Sequence, residues 1–229
     1  SIPRDSAPFA PPAPAGDRNH HRNVRPMTVK IYGIPKSRAF RCIWAAEEAG
    51  VPYEIVPTDF TTGVKSAAYA AINPHARVPA MQDGDLTMWE SLAINLHILR
   101  KGGSLIPPGN GLSLVEMWTL WVATEIEPHQ MQWAYNTVIR PPEQRDAKAG
   151  AAGAEALKAR LGILEKHLEG REWLLGSTYS GADVNLACVL FSAWLNKFDF
   201  SGTPKVLAWL ERCIARPGAA RARALRDKS

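Results

Sequence analysis

The first third of the chain combines short apolar strands with one amphipathic helix. Residues 29–32 and 53–56 have the apolar and aromatic character of strands. Between them, apolar residues recur at helical spacing, at Ala39, Cys42, Ile43, Ala46 and Ala49. Ser37 is placed to cap this helix, and Gly50 is placed to end it. The pattern predicts a strand-helix-strand unit.

A second pair of strands follows, joined by a tight turn. Residues 78–82 and 86–88 flank Asp83-Gly84, a dipeptide typical of two-residue hairpins. Pro79 lies inside the first strand, which places that strand at a sheet edge or marks a cis peptide bond. A helix is then predicted from Ser91 to the next Gly-Gly pair.

The rest of the chain shows only helical patterns. The helical segments are 114–126, 143–168, an apolar stripe after Gly181, and a helix that starts at Pro204 and is stopped by Pro217. No further strand pattern follows the hairpin. The chain is therefore predicted to be an α+β protein with two domains, first α/β and then all-helical.

The predicted domain boundaries follow changes in composition. Residues 1–26 hold six of the 18 prolines and are predicted to form a disordered or extended Pro-rich arm. The α/β domain is assigned to residues 27–102 and the helical domain to residues 112–229. Residues 103–111, rich in glycine and proline, are the predicted linker.

The charge of the chain is concentrated at its two ends. The sequence has 27 Lys and Arg against 22 Asp and Glu, a net charge of +5. Residues 1–26 carry +2 and residues 211–229 carry +4, which leaves −1 for residues 27–210. This distribution does not provide the basic groove of a nucleic-acid-binding protein, so no nucleic-acid partner is expected. The arginines between 212 and 226 are expected to be solvated at a helix end.

Membrane spans, metal sites and disulfides are not predicted either. No apolar run approaches the roughly 20 residues that a spanning helix needs, and no apolar leader opens the sequence. Cys42, Cys188 and Cys213 are an odd, widely spaced set, which is typical of a reducing compartment. The histidines lack the spacing of metal ligands. We therefore expect a cytoplasmic protein with neither a membrane nor a metal as partner.

Five sequence motifs occur in the same order as in one enzyme family. They are YGIPKSRAFRCIWAAEEAGVPYE (32–54), NPHARVPAMQDGD (73–85), WESLAI (89–94), YSGADVNLA (179–187) and WLERCIARPGAARA (209–222). With them the chain resembles the soluble, cytosolic-type glutathione S-transferases over nearly its whole length after residue 28. It departs from the family's pattern at Ala76, where glycine is usual, at His97, where tyrosine is commoner, and at Met81, where leucine is usual.

This resemblance implies both a fold and an activity. The fold is a thioredoxin-like N-terminal domain followed by an all-helical domain, assembled as a homodimer. The activity is transfer of glutathione, as co-substrate, to a hydrophobic electrophilic small molecule, a detoxification reaction. Two alternatives remain open. One is other glutathione-dependent chemistry at the same site, such as peroxide reduction, isomerisation or dehalogenation, and the other is a non-catalytic interaction module.

The resemblance also assigns residues to glutathione. Glu90 and Ser91 stand where a strand gives way to a helix, and unpaired N–H groups there favour an anion. In the family the matching pair holds the γ-glutamyl end. Val78 precedes Pro79, a cis proline in the family, and pairs with the cysteinyl backbone like an added strand. Arg77 is placed to meet the glycine carboxylate, or else is a solvated surface arginine.

Ser37 is the candidate for stabilising the glutathione thiolate. A hydroxyl at a helix start can donate to sulfur, and the helix dipole favours negative charge there. Lowering a thiol pKa of about 8.5 by about two units requires about 2.7 kcal/mol. One hydrogen bond to a charged group plus the dipole can supply this energy. The alternatives are a helix cap without a catalytic part, and Arg38 as the residue that contacts the sulfur.

Several neighbouring residues are expected to be structural. Tyr32 and Cys42 are expected in the core, and the lack of a cysteine beside Ser37 disfavours disulfide exchange. The electrophile pocket is expected between the two domains, as in the family, with Trp118 or Trp121 among its lining residues.

Overall fold

A four-stranded mixed sheet forms the N-terminal part of this computed structural model, which describes residues 28–229. The strands are β1 (Val29–Tyr32), β2 (Tyr53–Val56), β3 (Ala80–Asp83) and β4 (Leu86–Trp89), in the order β2-β1-β3-β4. Strand β1 pairs in parallel with β2 and antiparallel with β3, and β4 closes the hairpin on β3. The Pro-rich arm predicted at residues 1–26 lies outside the described residues.

Helix α1 (Ala39–Ala49) connects the two parallel strands and is almost entirely buried. It ends at Gly50, whose φ of 64° belongs to the left-handed region that glycine adopts without steric cost. The Ser37 hydroxyl accepts from the Ala39 N–H at 3.1 Å and donates to the Ile34 carbonyl at 2.7 Å. Ser37 therefore satisfies one amide of the first turn, as predicted, although Arg38 occupies the position immediately before the helix.

Two further helices flank the sheet. The short α2 (Ala67–Ala70) lies beside the face that carries Tyr32, and α3 (Ser91–Gly102) packs with α1 over the opposite face. Ile31 and Met81 are completely buried under α1 and α3. The predicted strand at 78–82 begins two residues later than expected, because Pro79 follows a cis peptide bond just before the ladder starts.

The remainder of the described chain is helical. Its helices are α4 (Gly111–Trp121), α5 (Glu127–Ala134), α6 (Ala147–His167), α7 (Gly181–Leu195), α8 (Pro204–Ala215) and α9 (Pro217–Asp227). Wider π-helical turns at Val122–Ile126 and Tyr135–Ile139 follow α4 and α5. Helix α5 was not predicted. The helix predicted from Pro204 ends before Pro217, as expected, but Pro217 also begins a further helix, α9, which was not predicted.

Helix α7 is the central helix of this half, and a buried aspartate fixes its start. The Asp183 carboxylate accepts from the N–H and hydroxyl of Ser180, from the Leu174 N–H and from the Trp209 indole. Burial raises the pKa of Asp183, while these hydrogen bonds favour its charged form. The Ser-x-x-Asp motif is thus a capping box, and it also links α7 to α8.

The arginines near the C-terminal end attach α9 to α1. Arg216 pairs with the buried Glu48 at 2.9 Å, and Arg221 pairs with Glu47 at 2.6 Å. Gly218 lies so close to Glu48 that an added Cβ would approach its carboxylate within 2.8 Å. The prediction of a solvated helix end was therefore wrong for Arg216, which is half-buried, whereas Arg221 stays exposed while it pairs with Glu47. Their charge is used to join the helical half to the α/β half.

Candidate functional site

Two adjoining cavities lie where the α/β half meets the helices. The first, the polar cleft, has a volume of about 370 Å³ and is lined by Arg77, Val78, Pro79, Glu90, Ser91 and Glu127, among others. The second, the apolar cleft, has a volume of about 400 Å³ and is lined by Ser37, Phe40, Met131, Ile139, Phe191 and Leu195, among others. Arg38 and Arg41 line both cavities. The two clefts therefore meet at the start of α1.

The loop before β3 presents free backbone groups to the polar cleft. Tyr69 and Asn73 both donate to the Arg77 carbonyl oxygen at 2.7 Å and hold the loop in place. The Val78–Pro79 peptide bond is cis. Within residues 28–229, the N–H and C=O of Val78 have no hydrogen-bond partner. These two groups are available to an extended peptide, which would pair with them as an added strand does.

The opposite wall of the polar cleft is the start of α3. Glu90, which precedes the helix, has φ 73° and ψ 110°, a sparsely populated conformation for a residue with a side chain. No side chain caps the first turn of α3 in the described structure. Its N–H groups and the positive end of the helix dipole therefore remain available to an anion in the cleft. Glu90 and Ser91, at this helix start, both line the cavity.

A buried ion pair lies beneath Ser91. The Arg41 guanidinium is buried and donates to both oxygens of Glu127, at 3.0 and 2.9 Å. It also donates to the Ser91 hydroxyl at 3.3 Å, and Arg38 adds a second guanidinium to Glu127 at 2.8 Å. Burial would raise the pKa of Glu127, but the two arginines outweigh burial and hold it below its ordinary value. Glu127 is therefore a carboxylate at neutral pH, and it fixes Arg41 under the anion site.

Ser37 lies close to the junction of the two clefts. An added Cβ on Gly33 would lie 3.3 Å from the Ser37 hydroxyl, 3.4 Å from Val78 Cβ and 2.6 Å from Ala39 Cβ. Ser37 and Val78 thus approach each other across Gly33, where any side chain would collide with α1. The Ser37 hydroxyl lines the apolar cleft, while Val78 lines the polar cleft. The junction of the two clefts therefore lies between Ser37 and Val78.

Sequence comparisons identify both halves of the chain. The profile of the glutathione S-transferase N-terminal domain matches residues 27–100, and the profile of the C-terminal domain matches residues 126–217. This chain belongs to the glutathione S-transferase family. Among its relatives, glutathione S-transferase 1 of Triticum aestivum is 33% identical over 84% of this chain and 92% of its own length. Glutathione S-transferase 1 of Zea mays is 34% identical over 88% and 98%.

Solved structures of the family share the fold. A glutathione S-transferase-I bound with lactoylglutathione is 33% identical, has a TM-score of 0.76, and matches 86% of this chain and 99% of its own. The theta-class enzyme of Xanthomonas axonopodis pv. citri, with glutathione bound, is 27% identical, with a TM-score of 0.78 and coverage of 86% and 97%. The predicted fold class, thioredoxin-like and then all-helical, is confirmed.

The family-derived glutathione-site residues fall into two groups in this structure, because Ser37 lines the apolar cleft and the others line the polar cleft. Arg77, Val78, Pro79, Glu90 and Ser91 all line the polar cleft, together with Arg38. Arg77 is exposed, and within the described structure it has no carboxylate partner. The sequence had brought these residues together only through the family resemblance, and the fold places them around one cavity.

The cysteines and Tyr32 have structural positions. Cys42 is completely buried, and burial raises the pKa of its thiol far above the ordinary value. Burial likewise raises the pKa of Cys188, which borders the apolar cleft, to about 12. Both thiols are therefore neutral and are poor nucleophiles. Tyr32 is half-buried and donates to Gln82 at 2.6 Å, on the sheet face covered by α2.

The two tryptophans predicted for the electrophile pocket lie elsewhere. Neither Trp118 nor Trp121 lines a cavity at the site. Their rings pack against each other at 5.2 Å, and Trp118 also packs on His167. The positions next to Ser37 are taken instead by residues of the unpredicted α5 and its π-helical turn, Met131, Tyr135 and Ile139. Tryptophan content alone was the wrong signal, because α4 turns Trp118 into the helical core.

Arg41 and Glu127 are the site residues that the sequence analysis missed. The available signal was a charged residue within a helix that otherwise reads as buried, since Arg41 stands between Phe40 and Cys42. A buried arginine requires an acidic partner. The sequence offers no local one, because Glu127 is 86 residues away in the chain.

In the described part of the chain, no helix has the length and apolar character needed to span a bilayer. Among the same residues, no cluster of three or more His, Cys, Asp and Glu side chains is arranged to hold a metal ion.

Proposed function

We propose that this protein conjugates glutathione to electrophilic small molecules. The observation that supports it most directly is the polar cleft, which offers an anion site at α3, a free backbone edge at Val78 and a cation at Arg77. These three features match the chemistry of an extended peptide with a charge at each end. The adjoining apolar cleft provides space for a second substrate, within reach of a thiol docked against Val78.

Ser37 is the proposed catalytic residue. On glutathione binding, its hydroxyl turns from the Ile34 carbonyl to donate to the sulfur, and the positive end of α1 adds to the stabilisation. The thiol proton leaves to solvent, so the serine need not act as a base. The thiolate then attacks the electrophilic carbon and forms a C–S bond. The leaving group departs with its electron pair, or an adjacent carbon takes up a proton.

Ser91 is the proposed anchor of the γ-glutamyl carboxylate. Its hydroxyl and the free N–H groups of the first α3 turn face the cleft, and Glu90 is available to the α-ammonium group. Arg41 donates to the Ser91 hydroxyl oxygen, so the hydroxyl proton is left free for the ligand. In this role Arg41 positions Ser91 and does not itself contact the substrate.

Conjugation of 1-chloro-2,4-dinitrobenzene with glutathione, followed by absorbance, tests the proposal. Loss of a buried hydrogen bond to a charged group costs about 1.5–3 kcal/mol, so Ser91→Ala should weaken glutathione binding about 10- to 100-fold. Ser201→Ala, an exposed serine outside both clefts, is the matched control and should leave binding unchanged. Calorimetry that finds no glutathione binding at millimolar concentration would overturn the assignment. Binding without turnover would point to the non-catalytic alternative.

A homodimer is the proposed assembly. Leu114, Met117 and Leu120 form an exposed apolar row on α4, and Leu120 is 65% exposed. Leu86 and Trp89 are exposed on β4, the open edge strand of the sheet. Apolar side chains grouped in this way are typical of protein interfaces. Light scattering should give a dimer for the wild type and a monomer for Leu120→Glu, whereas Ile163→Glu, at an exposed site on α6, should remain dimeric.

Detoxification in the cytoplasm is the proposed physiological setting. Glutathione is kept as a thiol in reducing compartments, and Cys42, Cys188 and Cys213 are all free thiols here. Cell fractionation with an antibody against the chain would test the location. Growth of a deletion strain on electrophiles would test the role.

A further inference from the structure

We infer that the electrophile accepted by the apolar cleft is an amphipathic anion, an apolar body with one carboxylate or similar group. This inference rests on the proposed function and specifies its second substrate. It comes from the charges that line the cleft and from the way one of them is held.

The lining of the apolar cleft is positively charged despite its apolar walls. It contains Lys36, Arg38, Arg41 and Arg226. Among the described lining residues there is no aspartate or glutamate. An electrophile that was only apolar would gain nothing from four cations. The cleft also carries the uncharged polar side chains of Ser37, Tyr135, Ser192 and Asn196, which a pocket for a neutral ligand would have as well, so the cations are its distinguishing feature.

Three of these cations already have partners. Arg38 and Arg41 pair with Glu127, which lines the neighbouring polar cleft. The Lys36 ammonium donates to the backbone oxygen of Ser229. Within residues 28–229, neither Lys36 nor Arg226 forms an ion pair with an Asp or Glu carboxylate, but Lys36 is exposed, whereas Arg226 is half-buried. Its contacts are a 3.5 Å hydrogen bond to the Pro35 carbonyl and the Phe40 ring, whose centroid lies 5.8 Å from the guanidinium carbon.

Arg226 is placed at the cleft by the last turn of an anchored helix. It lies on α9, which the Arg216–Glu48 and Arg221–Glu47 pairs attach to α1. Its side chain is half-buried, so part of its hydration is already lost. An arginine stays charged at any physiological pH, and its planar fork matches a carboxylate in two hydrogen bonds. A fixed, partly desolvated and unpaired guanidinium is a preformed site for an anion.

The apolar side chains of the cleft indicate what the uncharged part of the electrophile is. Phe191 is buried behind the cleft, while Ile139 and Leu195 are 49% and 43% exposed at its surface. These side chains would bury an aryl or alkenyl body between the helical half and α1. Arg226 does not line the polar cleft. Its charge is therefore directed at the second substrate and not at glutathione.

A matched pair of electrophiles tests the charge preference. In 4-chloro-3-nitrobenzoate and 4-chloro-3-nitrobenzamide, the thiolate forms a C–S bond and the C–Cl bond breaks, with chloride leaving with the electron pair. Rates are normalised to the uncatalysed reaction of each compound with glutathione. The wild type should favour the benzoate, and Arg226→Gln should lower kcat/KM for the benzoate about tenfold, through KM, because a charge-assisted hydrogen-bonded pair is lost.

Control variants and substrates separate the effect of the Arg226 charge on kcat/KM from the effect of other changes in the cleft. Arg226→Gln should change kcat/KM for the benzamide less than about twofold, since the binding of the neutral body does not use the guanidinium. Lys228→Gln removes the same charge just after the same helix, outside both clefts, and should leave kcat/KM unchanged for both substrates. Arg226→Lys should restore part of the benzoate preference. Circular dichroism checks that each variant folds.

The outcomes distinguish this inference from the proposed function. If both electrophiles are conjugated and Arg226→Gln affects them equally or not at all, the inference is wrong and the transferase function stands. If neither is conjugated, calorimetry with the unreactive 3-nitrobenzoate and 3-nitrobenzamide still measures whether the cleft binds the anion more tightly than the neutral compound. Preference for the benzoate that Arg226→Gln abolishes supports an anion site, and equal binding of the two compounds overturns it.

Discussion

The polar and apolar clefts share a wall but are built in different ways. Most of the polar cleft comes from residues 73–91, one short stretch of the α/β half. The apolar cleft draws on α1, α5, α7 and α9, with residues as distant as Lys36 and Arg226. Local sequence therefore encodes the groups that would hold glutathione, which is the same in every reaction. Packing between distant helices brings together the groups that would select the electrophile, which can vary.

The largest expected effect comes from removing the Arg41–Glu127 ion pair, which connects the polar cleft to the helical half. Arg41→Met leaves the Glu127 carboxylate with only the exposed Arg38, and removing one partner of a buried pair costs about 3–5 kcal/mol. We expect a loss of about 3 kcal/mol in the free energy of unfolding, measured in urea, because Glu127 keeps Arg38 as a partner. The Arg41→Met/Glu127→Met double variant should be more stable than the single variant. A single variant as stable as the wild type would show that the ion pair does not join the halves.

Ser37 tests the point where the two clefts meet. Ser37→Ala removes the donor to the thiolate, so kcat/KM at pH 6.5 should fall about tenfold or more, with glutathione affinity nearly unchanged. The pKa in the pH–rate profile should rise, because the thiolate has lost its hydrogen bond. Ser192→Ala, another serine on the wall of the apolar cleft, is the matched control. An unchanged profile would point to Arg38 or another group as the sulfur's contact.

Arg77 tests how far the polar cleft extends along glutathione. It is exposed, and exposed ion pairs contribute up to about 1 kcal/mol, so Arg77→Gln should weaken glutathione binding by about fivefold at most. The effect should vanish for glutathione amidated at its glycine carboxylate. Calorimetry at low salt measures both. If Arg77→Gln weakened the binding of both ligands equally, Arg77 would not be the partner of the glycine carboxylate.

The smallest expected effect concerns the loop backbone of the polar cleft. Ala76 has φ 49°, in the left-handed region where a Cβ is unfavourable, and glycine is usual there in the family. Ala76→Gly should raise the free energy of unfolding by about 0.5 kcal/mol, since relief of strain is partly offset by the entropy of an added glycine. Thermal unfolding would detect it. Ala71→Gly, in right-handed backbone, should instead destabilise the protein.

The sequence predicted the polar cleft far better than the apolar one, for physical reasons. Val78 and Pro79 precede a strand, and Glu90 and Ser91 stand at a helix start, and such positions leave a local pattern of residue types. Trp118 was misplaced because its environment depends on which face of α4 meets His167. Helical periodicity shows that an apolar face is buried, but it does not show what covers it.

The charged contacts escaped prediction for a similar reason. Arg41 and Glu127 satisfy each other across the two halves, and no spacing rule connects them. The arginines after residue 211 appeared to be a solvated helix end until the fold placed Glu47 and Glu48 opposite them. Pro217 was predicted only to end a helix, which it does, but the structure shows that it also occupies the first turn of α9.

The attachment of α9 to α1 also bears on how the protein is made. Glu48 and Arg216 are 168 residues apart, so α1 receives this partner only after most of the described chain has been synthesised. Until residue 216 is made Glu48 lacks its counter-ion, and until residue 191 is made Phe40 and Trp44 lack the Phe191 ring against which they pack. Contacts this distant in sequence slow folding and prolong the exposure of apolar surface. Nascent chains stalled before residue 216 should therefore remain open to proteases and chaperones.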